Sequence, residues 1–274
     1  MHTNQKNRQE IACVLAIMPA VLLGIAAMIF GGVSPVLWGQ QIAALVVVLL
    51  LTALARHTRW KIPAVVWAGV LLVILAAALF GPEAGGVRRW VKLGPFNVNA
   101  AMLVLPSMLV LLGEMACFYP LLLCAAAILS IQPDASQMTA LAVAAVPLLW
   151  RGRKNKGGTL LSAALLALLI IYCLRMPLAV ESVPYSEGVL AMLGGISPLL
   201  AAAGCAVLTL VPAFWGWRFC RERKAWQLSL AVYEAVMILF GLTGQYPVPF
   251  MGFGLSPIVG YGLFCLLECR LENV

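Results

Sequence analysis

The chain has 274 residues, 63% of them hydrophobic and only 10% charged, with a mean hydropathy of +1.00. A water-soluble domain carries about a quarter charged residues, so this composition excludes a soluble globular protein and requires an integral membrane protein. The net charge of +8 is no nucleic-acid signal, because in a membrane protein surplus cations report the cytoplasmic loops.

Residues 1–10 are polar, with Lys6 and Arg8, and lead into an apolar span at 11–30. That span is too long, and too poor in cleavage signals, for a removed signal peptide. Further spans are predicted at 37–55, 63–80, 98–113, 115–131, 136–150, 158–174, 188–216, 226–243 and 255–269. Each approaches the roughly 17–25 residues that cross a bilayer as a helix, and the alternating strands of a membrane barrel are absent. The expected fold is all-α: a polytopic membrane protein of ten transmembrane helices, with residues 1–274 forming one integral membrane domain.

Two stretches need a decision. Residues 98–131 are interrupted only at Gly113-Glu114. One long helix there would strand Arg151, Arg153, Lys154 and Lys156 outside the cell, so two short helices are preferred. Pro106 and Pro120 are tolerable in a bundle whose neighbours satisfy the freed carbonyls. Span 188–216 exceeds what a bilayer needs, and Gly194, Gly195 and Pro198 predict a kink or tilt.

Ten crossings place both termini on one side. That side collects Lys6, Arg8, Arg56, Arg59, Lys61, the 151–156 cluster, Arg218, Arg221, Arg223, Lys224 and Arg270, fourteen cations in all. The other side holds Arg88, Arg89, Lys92 and Arg175. The bias puts both termini in the cytoplasm. The eight cysteines lie mainly within apolar spans and form no CxxC, so they read as packing thiols, and no metal site is expected.

Four outward segments carry the chemistry. GVRRWVKLGPFN (86–97) gathers Arg88, Arg89 and Lys92 around Trp90. These cations suit a phosphate or pyrophosphate, or they snorkel to lipid headgroups with Trp90 as interfacial anchor. Asp134, in Gln132-Pro133-Asp134, either pairs with one of them or caps the next helix. The loop 175–187 carries Glu181 and Glu187, each a general-base candidate or a solvated loop acid. The fourth segment is Pro247–Ser256, PVPFMGFGLS. Glu234 lies deep inside span nine, and a charge there must be protonated, paired or functional.

GVRRWVKLGPF, QPD and PVPFMGFGLSP resemble, in order and spacing, the landmarks of the SEDS family, the RodA/FtsW/SpoVE group. Those proteins show a G-A-x-R-W-I-x-L-G-P-F loop, a Q-P-D-x-G-T turn and a terminal L-P-F-I-S-Y-G-G-S segment, and the ten-helix plan with both ends inside matches too. The resemblance implies a peptidoglycan glycosyltransferase of the bacterial cytoplasmic membrane, polymerising undecaprenyl-pyrophosphoryl disaccharide-pentapeptide at its outer face beside a class B penicillin-binding protein. Glu187 matches the family's essential loop acid with Glu for Asp, and Arg89-Trp90 match the R-W pair. Asp134 matches the Q-P-D acid; Pro249, Phe250, Gly254 and Ser256 match the terminal motif. In this reading Arg88, Arg89 and Lys92 hold the pyrophosphate. The donor is lipid-linked, so no cofactor is implied, although a divalent cation on the pyrophosphate is compatible.

The chain departs from the family where Met102 and Leu105 replace a Glu and a Lys in the helix after G-P-F. Three functions stay open: an active glycosyltransferase, a non-catalytic scaffold of the division or elongation machinery, and a small lipid flippase or transporter using Glu234.

Overall fold

The computed structural model describes residues 2–57, 63–94, 96–176 and 182–271. Arg59, Lys61, Pro95 and Glu181 lie outside the described residues. The protein is a polytopic helical membrane protein. Its helices are α1 (His2–Phe30), α2 (Pro35–His57), α3 (Ala64–Ala77, followed by a 3-10 turn at Ala78–Phe80), α4 (Ala100–Glu114), α5 (Tyr119–Ile131) and α6 (Ala135–Arg151). They continue with α7 (Lys156–Arg175), α8 (Val189–Ile196), α9 (Pro198–Leu208), α10 (Leu210–Glu222), α11 (Ala225–Gly241) and α12 (Ser256–Leu271). Two short strands, β1 (Trp90–Leu93) and β2 (Phe96–Asn99), stand between α3 and α4.

Helix occupies every predicted span. Stretches Ala12–Phe30, Pro35–Leu54, Lys156–Arg175 and Pro198–Glu222 are long and apolar enough to cross a membrane. α4 is shorter but buried almost all round, as expected of a helix apolar on every face.

Several boundaries differ from expectation, α5 for one starting at Tyr119 rather than 115. α1 starts at His2 rather than 11, because extending an existing helix adds a hydrogen bond per residue without a new nucleus. α4 starts at Ala100 rather than 98, where the Asn99 side chain accepts from the Met102 N–H at 3.1 Å and ends the preceding strand. The predicted span 188–216 is broken into α8, α9 and α10. Ser197 is extended (φ −163°, ψ 134°) and its side chain accepts from Leu199 N, since a proline pushes the residue before it out of the helical region.

The preference for two helices over 98–131 is met. α4 ends at Glu114 and α5 begins at Tyr119. Arg151 donates from Nη2 to Leu112 O (3.4 Å) and Met115 O (2.8 Å), satisfying carbonyls stranded at the end of α4. Glu114, assigned no role from sequence, accepts from Trp226 Nε1 at 2.9 Å and ties α4 to α11.

The chain forms two compact units. Unit 1 is Met1–Lys61, Ser182–Phe214 and Ile238–Val274; unit 2 is Ile62–Glu181 and Trp215–Met237. In unit 1, α12 packs along α2, and α1 packs on α8 and α9. In unit 2, α3 packs on α4 and α5, and α7 on α5 and α6. The Tyr119 hydroxyl fixes the turn between α6 and α7 by donating to Gly152 O at 2.8 Å.

Candidate functional site

In unit 2, β1 and β2 pair antiparallel as a hairpin, with Trp90 opposite Asn99, Lys92 opposite Asn97 and Leu93 opposite Phe96. Gly94 takes φ +59° at the tip, a conformation that glycine adopts without steric cost. Consecutive side chains of an extended chain leave on opposite sides. Arg88 is therefore exposed while Arg89 is buried; Lys92 is exposed and Trp90 half-buried.

Arg88 donates from Nε to Glu83 Oε2 (3.0 Å) and from Nη1 to Leu79 O (3.3 Å). Both partners of that ion pair are about half exposed, so it contributes little and yields readily to another anion. The Nε of Arg89 lies 3.4 Å from Asp134 Oδ2, with the two side chains 3% and 0% exposed. The Arg89 guanidinium also sits 5.2 Å from the Trp90 ring centroid. Asp134 uses its other oxygen, Oδ1, to accept from Ser136 Oγ (2.7 Å) and Gln137 N (3.3 Å), capping α6. Pairing and capping, offered as alternatives from the sequence, are both present.

The Q-P-D turn meets the hairpin through the Arg88 N–H, which donates to Gln132 O at 3.4 Å. Gln132 Nε2 in turn donates to Leu75 O at 2.8 Å, anchoring the turn on α3. Arg88, Arg89, Trp90 and Asp134 are thereby gathered at one end of unit 2. Met102 (5% exposed) and Leu105 (0%) pack in the core as apolar side chains immediately after the hairpin.

Unit 1 carries the acid and the terminal segment. Glu187 is 9% exposed, and its Oε2 accepts from the Val183 N–H at 2.9 Å. An ionised carboxylate has acceptor capacity on both oxygens, so Oε1 retains capacity for a proton or a donor. The turn that bears Glu187 is stitched to the terminal segment: Val248 N donates to Ser186 O (3.3 Å) and Phe253 N to Tyr185 O (2.7 Å). A methyl group at Gly252 would come 2.3 Å from Ser186 O, so only glycine allows this approach. Tyr185 and Phe253 meet edge to face at 5.6 Å.

The terminal segment is itself buried non-helical backbone, which a membrane protein tolerates only where other protein groups satisfy it. Gln41 on α2 supplies that, donating from Nε2 to Gly252 O (2.7 Å) and Met251 O (3.4 Å). Gly24 on α1 leaves room for Met251 O, which a Cβ there would meet at 2.1 Å. Phe250 adopts φ +63° and is 1% exposed, edge to face with Tyr261 at 5.6 Å. Pro249 and Ser256 are buried, and Gly254 takes φ +147°. Gln41 was missed in the sequence; the Gln40-Gln41 pair inside an apolar span was the available signal.

Glu234 lies within α11, 2% exposed, and no ion pair holds it among the described residues. Its neighbour Tyr233 donates to Gln137 Oε1 at 2.7 Å, joining α11 to the helix that Asp134 caps.

No protein-family model and no curated protein matches the chain. Solved structures do. The rod-shape-determining protein RodA of Thermus thermophilus is 20% identical, with 94% of this chain and 95% of that chain aligned at a TM-score of 0.61. A mutant of the same protein aligns over 94% and 96% at 19% identity and a TM-score of 0.62. A chain from a peptidoglycan synthase complex, described for its coordination of polymerization and crosslinking, aligns over 95% and 97% at 20% identity and a TM-score of 0.60. The fold is therefore SEDS-like over nearly the whole chain.

Proposed function

From a fold shared with RodA, we propose that the chain acts on lipid-linked peptidoglycan precursor at the outer face of the bacterial cytoplasmic membrane, as a glycosyltransferase with Glu187 as general base. Glu187 takes the proton of the acceptor sugar hydroxyl as that oxygen attacks the donor's anomeric carbon. The bond from that carbon to the pyrophosphate oxygen breaks, and undecaprenyl pyrophosphate leaves. Arg88 and Lys92 are the exposed cations suited to the pyrophosphate charge. Arg89 and Asp134, buried against each other, set the hairpin rather than meet the ligand. A crosslinking penicillin-binding protein is the partner that fits this role.

The observation that carries the reading is Glu187 held at 2.9 Å by Val183 N–H on a turn stitched into the buried terminal segment. A carboxylate fixed in this way is preorganised for proton transfer. One observation favours a non-catalytic scaffold instead: Met102 and Leu105 are closed into the core where the family carries a charged pair.

Purified protein given fluorescent lipid-linked disaccharide tests the choice. Polymer is expected from the wild type with a class B penicillin-binding protein present, and Arg88→Ala combined with Lys92→Ala should raise KM more than it lowers kcat. Absence of polymer together with retained precursor binding moves the protein to the scaffold reading. Absence of both sinks the proposal.

A further inference from the structure

We infer a binding site for an anionic phospholipid at the end of unit 2 opposite the hairpin. A cavity of about 460 Å³ lies there, within the roughly 300–1,000 Å³ typical of ligand pockets. Val146 and Pro147 of α6, Phe219 of α10 and Leu228 of α11 give it apolar walls, and Arg151 and Arg223 line it as well. An apolar slot bordered by two arginines matches one ligand chemistry, a hydrocarbon chain that ends in a phosphate.

Arg223 adds a second observation. It is exposed and takes φ +60°, closing α10 through its N–H on Phe219 O at 2.8 Å. Glycine is the ordinary residue for such a helix end. An arginine held there places a cation on the cavity in a conformation its backbone does not favour.

The charge balance points the same way. No lining residue is acidic. Glu222 is engaged by Arg218 at 2.8 Å and by Gln227, and Glu114 by the Trp226 indole. Arg151 spends Nη2 on the carbonyls of Leu112 and Met115, but a guanidinium has five N–H donors, so most remain for a phosphate. This end carries the clustered cations assigned to the cytoplasm, where anionic phospholipids meet basic pockets between helices. That location assigns the cavity to a leaflet phospholipid rather than to the polyprenyl carrier used at the other face.

The test uses the full chain in phosphatidylcholine nanodiscs containing a minor fraction of phosphatidylglycerol, with retained lipid counted by native mass spectrometry. Phosphatidylglycerol should be retained in preference to phosphatidylcholine. Arg223→Gly, which removes the cation and suits the backbone, should lower that retention about fivefold. Ala225→Phe, which fills the cavity from its lining without changing charge, should lower it as well, and Lys154→Ala, at an exposed cation outside the lining, should leave it in place. Equal retention of the two lipids, unchanged retention in Arg223→Gly, or preferential retention of undecaprenyl phosphate when both are offered would overturn the assignment.

Discussion

Asp134 does two jobs that a substitution can separate. Asparagine keeps an acceptor for the Gln137 N–H but removes the charge opposite Arg89. Removing one partner of a buried pair costs about 3–5 kcal/mol, so Asp134→Asn should lower the melting temperature in detergent by far more than a lost helix cap. Adding Arg89→Met should recover most of the loss, and no recovery would show that the pair is not the cause. Phe250 makes a comparable case. Its left-handed backbone costs about 1–2 kcal/mol, but its ring is fully buried against Tyr261. Because deleting a buried aromatic ring costs about 3–5 kcal/mol, Phe250→Gly should destabilise despite relieving the backbone. A higher melting temperature would contradict the packing account. At this scale the sequence exposed Arg89, Asp134 and Glu187 as charges in an apolar chain. It did not reveal that Arg88 faces out while Arg89 is buried, because that follows from an extended backbone which twelve residues of loop-like sequence did not announce.

The helices were legible because hydropathy accumulates over spans of about 20 residues, and all ten predicted spans contain helix. The hairpin was not. Its two strands have four residues each, too few for a period-two pattern to emerge, although Gly94-Pro95 between two strand-forming runs was a turn signal. The contact of Gln41 with the terminal segment spans more than two hundred positions in the chain, and no local pattern encodes it. Element ends follow from single caps. Asn99→Ala removes the side-chain acceptor at the start of α4 and should cost about 1 kcal/mol, read as a small drop in melting temperature with the hairpin retained. Gly24→Ala should do more harm, since its Cβ would meet Met251 O at 2.1 Å and displace the segment to which the Glu187 turn is stitched. Loss of polymer with little loss of precursor binding is the expected result, and unchanged polymer yield would argue against that coupling.

For the whole molecule, the charge bias and the helix order predict a topology with the hairpin outside and the 151–156 turn inside. A membrane-impermeant thiol reagent applied to intact cells should label Lys92→Cys and leave Arg153→Cys unlabelled, and the reverse pattern would invert the protein. The fold is that of RodA, and the central claim is that Glu187 gives this fold its chemistry. Glutamine at 187 keeps an oxygen to accept the Val183 N–H and so preserves the turn, but it cannot take a proton. The direct measurement is polymer formed from lipid-linked disaccharide by wild type and by Glu187→Gln, at matched protein and matched precursor binding. The account predicts a loss of about a hundredfold or more with binding unchanged; equal polymer from the two proteins would contradict it.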